Sequence, residues 1–271
     1  MKQTNYLGGQ DLREMFAAAT IWLEKSAPDI DALNVFPVPD GDCGTNMLLT
    51  MRSCIEETYR APDRSASAVA QAMAKGALMG ARGNSGVILS QIWRGLAQGL
   101  ADKESFTGSD LADALLQASA RAYIGLSNPV EGTILTVVRE AAAAAQTQAS
   151  SGDNDLLSIM EATVRAANES VANTPNLLPV LREAGVVDAG GQGLYTILEG
   201  ALRYLRGEAE QMRFAKPQII VSNIPARLPQ MLVAEEEPYG YCTEFMLKGK
   251  RLDPDKIRAK LDKNCLLYTS P

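Results

Sequence analysis

The chain has 271 residues, 46% of them hydrophobic and 21% charged, with a formal net charge of −6. This is the balance of a folded globular chain with length for one large domain and part of a second, and the net charge argues against nonspecific nucleic-acid binding, which needs a basic face. There is no histidine, which excludes a Ser-His-Asp triad, a Cys-His pair and any histidine metal ligand within the chain.

The first two hundred residues read as successive helices. Asp11-Leu12-Arg13-Glu14 has the spacing of a capping box. Leu12, Met15, Phe16, Ala19, Trp22 and Leu23 then fall on one apolar face, predicting an amphipathic helix. A second helix is expected to start at Gly44-Thr45-Asn46 and to carry Met47, Leu48, Met51 and Ile55. A third covers 66–80, and a fourth begins near Asn84-Ser85 with Ile88, Ile92, Trp93, Leu96 and Leu100. Ser109 is read as the cap of a fifth, a sixth runs from about Glu131, and a seventh follows Asp155. A short turn over 177–184 precedes a last long helix from about Gly191 to Arg206. Strand-like alternation is scarce and the connections are short, so neighbours should run antiparallel. The fold class expected is all-α, an antiparallel bundle or barrel of about eight helices.

Beyond Gln211 the character changes. Phe214 to Val221 is extended and apolar, and Pro225 and Pro229 break any helix. Residues 241–247 alternate as a strand, and Asp253-Pro254 opens a helix with a cap and a first-turn proline. The division expected is a domain over 1–208, a linker over 209–230, and the incomplete start of an α+β domain over 231–271. The last seven residues, 265–271, break the pattern of the preceding helix and resemble translated adaptor peptide, so the chain reads as a fragment of a longer protein.

The stretch from Asn34 to Met47 carries the chemistry. Asp40-Gly41-Asp42 is followed at once by Cys43-Gly44-Thr45-Asn46, and Pro37 and Pro39 stiffen the approach. Two carboxylates in a glycine-hinged loop suit Mg²⁺, which takes oxygen ligands and usually keeps substrate phosphates among them. By itself Asp-Gly-Asp is also an ordinary surface turn. Gly83-Asn84-Ser85-Gly86 and Asp188-Ala189-Gly190-Gly191 likewise sit at loop–helix junctions, where free backbone N–H groups cradle anions. Each is also compatible with a plain capped helix start.

The run 34–47 closely resembles the signature of the L-type ATP-binding domain of dihydroxyacetone kinases, in the branch found at the N-terminus of fatty acid kinases. The segments 80–91, 129–137 and 187–194 resemble the same branch in the same order. The resemblance spans about 1–208 and implies an eight-helix barrel with nucleotide at one end. It implies Asp40 and Asp42 as Mg²⁺ ligands and catalytic carboxylates. In dihydroxyacetone kinases a third aspartate lies five positions before the pair, where this chain has Val35. Asn34 is the candidate third ligand here, with Asp31 a more distant one. Gly44, Thr45 and Asn46 are expected against the phosphates, and Gly83, Asn84, Ser85 and Gly86 form the second cradle. Asp188, Gly190 and Gly191 would wall the adenine or ribose. Thr133, after Glu131-Gly132, would face the transferring phosphate and is the third expected catalytic residue. Glu131 reads equally as a first-turn acid, and Arg82 as a clamp or a solvated side chain. Cys43 replaces the family's usual threonine, a silent change if only its backbone contacts phosphate. Cys242 resembles a zinc ligand whose histidine partners this chain lacks.

The function implied is ATP- and Mg²⁺-dependent phosphorylation of a fatty acid carboxylate presented by a separate fatty-acid-binding carrier protein. The alternatives are an L-type dihydroxyacetone kinase component working on a triose held by a partner, and a nucleotide-binding regulatory module without turnover. The chain alone is not expected to act on free substrate. A homodimer is a further contact to consider, and nucleic acid is not an expected partner. No apolar run approaches the length of a membrane span, and residues 1–6 lack the apolar core of a secretory signal. The four cysteines form no Cys-x-x-Cys pair. A reducing cytoplasm is the expected location.

Overall fold

Short connections between amphipathic helices decide the architecture, because each helix can bury its apolar face only by turning back against its neighbour. The computed structural model describes residues 6–126, 128–152, 154–221, 247, 249 and 252–261. In chain order the elements are β1 (Leu7–Gly8), α1 (Gly9–Glu24), α2 (Ala27–Asp31), α3 (Cys43–Thr58), α4 (Ala66–Gly80), α5 (Gly83–Gly99) and β2 (Ser105–Phe106). There follow α6 (Gly108–Ile124), α7 (Ile134–Ser150), α8 (Leu156–Leu177), α9 (Pro179–Ala184), α10 (Ala189–Leu205), α11 (Ala209–Met212) and α12 (Pro254–Leu261).

The long helices α1, α3, α4, α5, α6, α7, α8 and α10 make the bundle. Packing runs from α4 to α5, α6, α7, α8, α10 and α1, and α1 returns to α4, which closes a ring. Helix α3 packs against α4, α5, α1 and α10. Successive pairs from α4 round to α1 are antiparallel, as is α3 with α4, while α1 with α4 and α3 with α5 and α10 run parallel: Glu57 of α3 reaches Lys75 of α4 at 2.5 Å, and Tyr204 of α10 reaches Glu14 of α1 at 2.9 Å. Alternation of direction around the ring brings the N-termini of α3, α5, α7 and α10 to one end. The core between them is filled by Leu12, Met15, Trp22, Met47, Met51, Met73, Leu89 and Leu96. Small residues let the axes approach: Gly95 and Gly99 of α5 lie directly against Gln117, Ala118 and Ala114 of α6. Among the described residues no helix is long and apolar enough to cross a membrane.

The expected all-α fold is present, with local corrections. Asp11 is not the cap of α1; it lies inside the first turn and accepts the Gly8 N–H at 2.9 Å. Thr107, not Ser109, caps α6, because Thr107 and Asp110 satisfy each other reciprocally, with the Thr107 N–H donating to Asp110 at 2.8 Å. The Ser109 hydroxyl turns instead to Asn154. Helix α7 begins three residues after Glu131, capped by Thr133. The turn expected over 177–184 contains the helix α9. The short antiparallel pair of β1 and β2, with Leu7 opposite Phe106, has too few residues for any alternation to reveal it.

Part of the expected linker is tied to the bundle. Met212 is buried, and the Lys25 ammonium donates to the carbonyls of Arg213 at 2.7 Å and Ala215 at 3.0 Å, and to that of Met212. The buried amide of Gln192 grips the chain further on, donating to the Gln218 carbonyl at 3.2 Å and accepting the Ile220 N–H at 3.0 Å. Helix α12 starts at Pro254 as the sequence predicts, and Asp253 accepts the Lys256 N–H at 3.1 Å. The expected strand over 241–247, save Leu247, lies outside the described residues, as do Cys242 and the tail 265–271.

Candidate functional site

The acidic loop lies at the end of the bundle where four helices begin. Asp42 directly precedes α3, and Asp40 stands two residues earlier on the exposed side of the loop. Asn34 is buried beneath them and donates its side-chain amide to Asp40 Oδ1. Asp31, the last residue of α2, accepts the Thr45 backbone N–H at 3.0 Å and the Thr45 hydroxyl at 2.6 Å. Asp31 therefore enters the loop as an anchor for the first turn of α3, and Asn34 as the group that orients Asp40.

Three carboxylates thus converge. Burial pushes the Asp42 carboxyl above its ordinary range, the charges of Asp40 and Asp31 add to this, and the Asn46 amide opposes it. Like charges held together disfavour ionisation of each, and a bound cation would relieve the repulsion. Among the described residues no group of three or more Asp, Glu, Cys or His side chains has the geometry to hold a metal ion alone. A cage built of such side chains alone is therefore absent among the described residues. Mg²⁺ does not require one, being commonly held by one or two carboxylates together with waters and substrate phosphates. Asp40 and Asp42 fit that pattern.

The other expected residues gather around this loop. Ser85, buried in the first turn of α5, donates its hydroxyl to the Cys43 carbonyl at 3.3 Å. Gly83 opens α5 with φ +57°, and a side chain there would run into Asn46. The glycine is required both by its left-handed backbone and by the close approach of the two N-terminal turns. Asn84 is half-buried in the first turn of α5, while Gly44 and Gly86 are buried within the first turns of α3 and α5. The Cys43 thiol is buried, and its pKa is pushed up to about 12 by that burial and then by the nearby Asp188 carboxylate. At neutral pH it is a protonated, inward-facing group.

Asp188 links this half of the site to the other. It is 5% exposed and caps α10, accepting the Gly191 N–H at 2.6 Å. Burial raises its pKa to about 6, against the opposing hydrogen bonds from the backbones of Gly191 and Ile134. Because Ile134 begins α7, one carboxylate ties the N-termini of α10 and α7 together beside Cys43. Gly190 packs against Ile134, 3.3 Å from its Cβ to where a side chain would begin. The Thr133 hydroxyl donates to the Val130 carbonyl at 2.8 Å and accepts the Leu135 N–H at 3.4 Å, so in this arrangement it serves as a cap. Glu131 is engaged by Thr136 at 2.6 Å, Tyr123 at 2.9 Å and Arg139. Exposed Arg82 donates to its neighbour's carbonyl, that of Ala81, at 2.8 Å.

The sequence did not single out Gln192, which anchors residues 218–220, or Thr174, whose hydroxyl accepts the Asp188 N–H at 3.0 Å. A buried glutamine among the glycines and apolar residues of α10 was the visible signal for the first. Nothing local marked the second. Chemically, the assembled end offers acids for a hard cation, flanked by the backbone N–H groups of several helix starts, an arrangement that suits a polyphosphate.

Comparison with known proteins agrees with this fold. A model of the DAK2 domain matches residues 37–203. Protein YloV of Bacillus subtilis (strain 168) is 43% identical over 253 residues, covering 92% of this chain and 45% of that protein. An uncharacterized protein of Staphylococcus aureus (strain USA300) is 41% identical over 243 residues, covering 89% of this chain and 44% of that protein. The chain thus spans less than half the length of these relatives. The native crystal structure of the dihydroxyacetone kinase of C. freundii shares the fold with a TM-score of 0.51 at 18% identity, over 71% of this chain and 34% of that one.

Proposed function

This chain belongs to the DAK2 domain family, and we propose that it is the nucleotide-binding part of an ATP-dependent kinase whose acceptor is a fatty acid carboxylate presented by a separate carrier protein. The carrying observation is the convergence of four helix N-termini on the Asp40–Asp42 loop. Phosphoryl transfer depends mainly on positioning and on neutralising phosphate charge, and this end of the bundle is built for both.

In this reading Asp40 and Asp42 hold Mg²⁺, with Asn34 orienting Asp40. Bound there, the cation neutralises phosphate charge and helps to align the transferring group. At the starts of α3 and α5 the N–H groups of Gly44, Gly83, Asn84 and Ser85 donate to phosphate oxygens, while Thr45, held by Asp31, and Asn46 and Gly86, whose N–H groups bond to the Asp42 and Arg82 carbonyls, line the cradle. Asp188, Gly190 and Gly191 wall the nucleoside side. Thr133 holds the start of α7 in place next to the transferring phosphate. A carboxylate oxygen of the acceptor attacks the γ-phosphorus, the bond from that phosphorus to the β–γ bridging oxygen breaks, and ADP leaves with that electron pair. The products are acyl-phosphate and ADP.

A fatty acid carboxylate is ionised at neutral pH and needs no base to activate it. A hydroxyl acceptor does, and a chain without histidine has fewer groups for that task. The two remaining readings, a triose kinase component and a regulatory module, are separated by one experiment. Purified chain is given Mg-ATP with fatty acid on its carrier, with free fatty acid, and with dihydroxyacetone, and ADP and acyl-phosphate are measured. ADP and acyl-phosphate formed only when the carrier is present support the proposal. Turnover of the triose alone overturns it. Tight ATP binding without turnover in the full-length protein favours the regulatory module.

A further inference from the structure

A second charged cluster lies on the flank of the bundle, away from the acidic loop. Arg94 projects from α5 and Arg121 from α6, two helices that pack closely because Gly95 sits against Gln117 and Ala118. The Gln91 side chain lies against Gly125, one turn beyond Arg121 and on the same face of α6, and its Oε1 accepts from Arg94 Nη1 at 3.2 Å. That bond turns the Arg94 head toward the α6 side. Arg121 thus lies across the α5–α6 contact from Arg94 and Gln91, and its charge adds to the burial that disfavours the charged form of Arg94.

Neither arginine has a carboxylate partner among the described residues. Several other arginines of the bundle are matched with acids: Arg52 with Glu24, Arg139 with Glu131, Arg203 with Glu199, and Arg206 with Glu161. The Arg121 side chain makes no hydrogen bond among the described residues, and its Nε is buried without an acceptor. A chain with a net charge of −6 has acids to spare, yet none of the described ones pairs with these two arginines. An unpaired, partly buried N–H on a cation carries a desolvation cost that an anionic acceptor removes.

We infer that Arg94 and Arg121, with Gln91, form a binding site for a phosphate-type dianion, separate from the nucleotide loop. The donor set consists of two guanidinium forks and an amide N–H, without an acid to repel the ligand. Two cationic groups match a doubly charged tetrahedral anion better than a single carboxylate. Arg94 lies eleven residues beyond Gly83, which is about 16 Å along an α-helix. The site is thus out of reach of phosphate held at the start of α5. Free phosphate and the phosphate of a monoester share this chemistry.

The test follows the arginine Nε–H resonances by NMR while inorganic phosphate, or glycerol phosphate as a monoester, is added. A metal chelator is present, so that the acidic loop stays anionic and repels phosphate. Saturable shifts of the Arg94 and Arg121 signals are expected, with affinity falling at least tenfold in Arg121→Gln and in Arg94→Gln. Tighter binding of the monoester assigns the site to an esterified ligand, and tighter binding of inorganic phosphate to the free ion. Shifts that do not saturate, or a phosphate affinity in both variants equal to the parent's, overturn the inference. Mg-ATP affinity of each variant, expected within twofold of the parent, shows that the fold and the nucleotide loop are intact, so this site and the proposed kinase function fail independently.

Discussion

Asp42 and Asp188 are both carboxylates with raised pKa values, and the cause differs in a way that mutation can expose. Asp42 is raised by burial and by the neighbouring carboxylates Asp40 and Asp31, so its environment lacks positive charge. Asp42→Asn should remove a ligand while relieving that repulsion. We expect Mg²⁺-dependent ATP binding, read by calorimetry, to fall at least a hundredfold, with the circular dichroism spectrum unchanged. Undiminished affinity would remove the metal assignment. Asp188 is raised from the ordinary 3.8 to about 6 by burial alone. Its folded form therefore holds a proton more tightly than the unfolded chain, and the stability this contributes is present below about pH 4 and lost as pH rises through 6. The shift corresponds to about 3 kcal/mol. Asp188→Asn still offers an oxygen to the Gly191 N–H. Its melting temperature should gain on the parent as pH rises from 4 to 7, and a pH-independent difference would contradict the assignment.

Among the elements, the close approach of α3 and α5 sets the shape of the phosphate end. Gly83→Ala forces a side chain into a left-handed backbone, at about 1–2 kcal/mol, and pushes Asn46 away from Asp42. Both stability and nucleotide affinity should fall, and Asn46→Ala, which clears the space, should recover part of the stability but not the affinity. Recovery of both would show that the contact is only structural. The helices themselves were legible in the sequence, since Leu12, Met15, Phe16 and Trp22 repeat on one face whatever the rest of the chain does. The motif positions were legible too, each at a helix start. Pairings between distant segments were not. Asp31 with Thr45, Ser85 with Cys43, and Asp188 with the start of α7 depend on how the ring closes, and no local spacing encodes that. The two-residue strands β1 and β2 failed for a related reason, having no period to detect.

At the scale of the whole molecule, the question is where the bundle ends. Composition places the boundary at 208, where the last long helix stops and turn residues begin. Packing extends it. Met212 is buried, Ile219 and Ile220 pack on the core, and Lys25 and Gln192 hold the backbone between them from two sides. Gln192 belongs to the first turn of α10, the helix that Asp188 caps, so this strap is fastened at the same end of α10 as the candidate site. Burial of one such apolar side chain is worth about 1.5–3 kcal/mol, and each kcal/mol shifts the melting temperature of a domain this size by about 2–4 °C. A chain of residues 1–221 should therefore melt several degrees above one of residues 1–208. Limited proteolysis of the full chain should leave a core ending beyond Ile220 rather than near Arg206, and Gln192→Ala should expose the 209–221 segment to cleavage. A stable product ending near Arg206 in the parent chain would mean that the strap contributes nothing to the bundle, and that the boundary read from composition is the physical one.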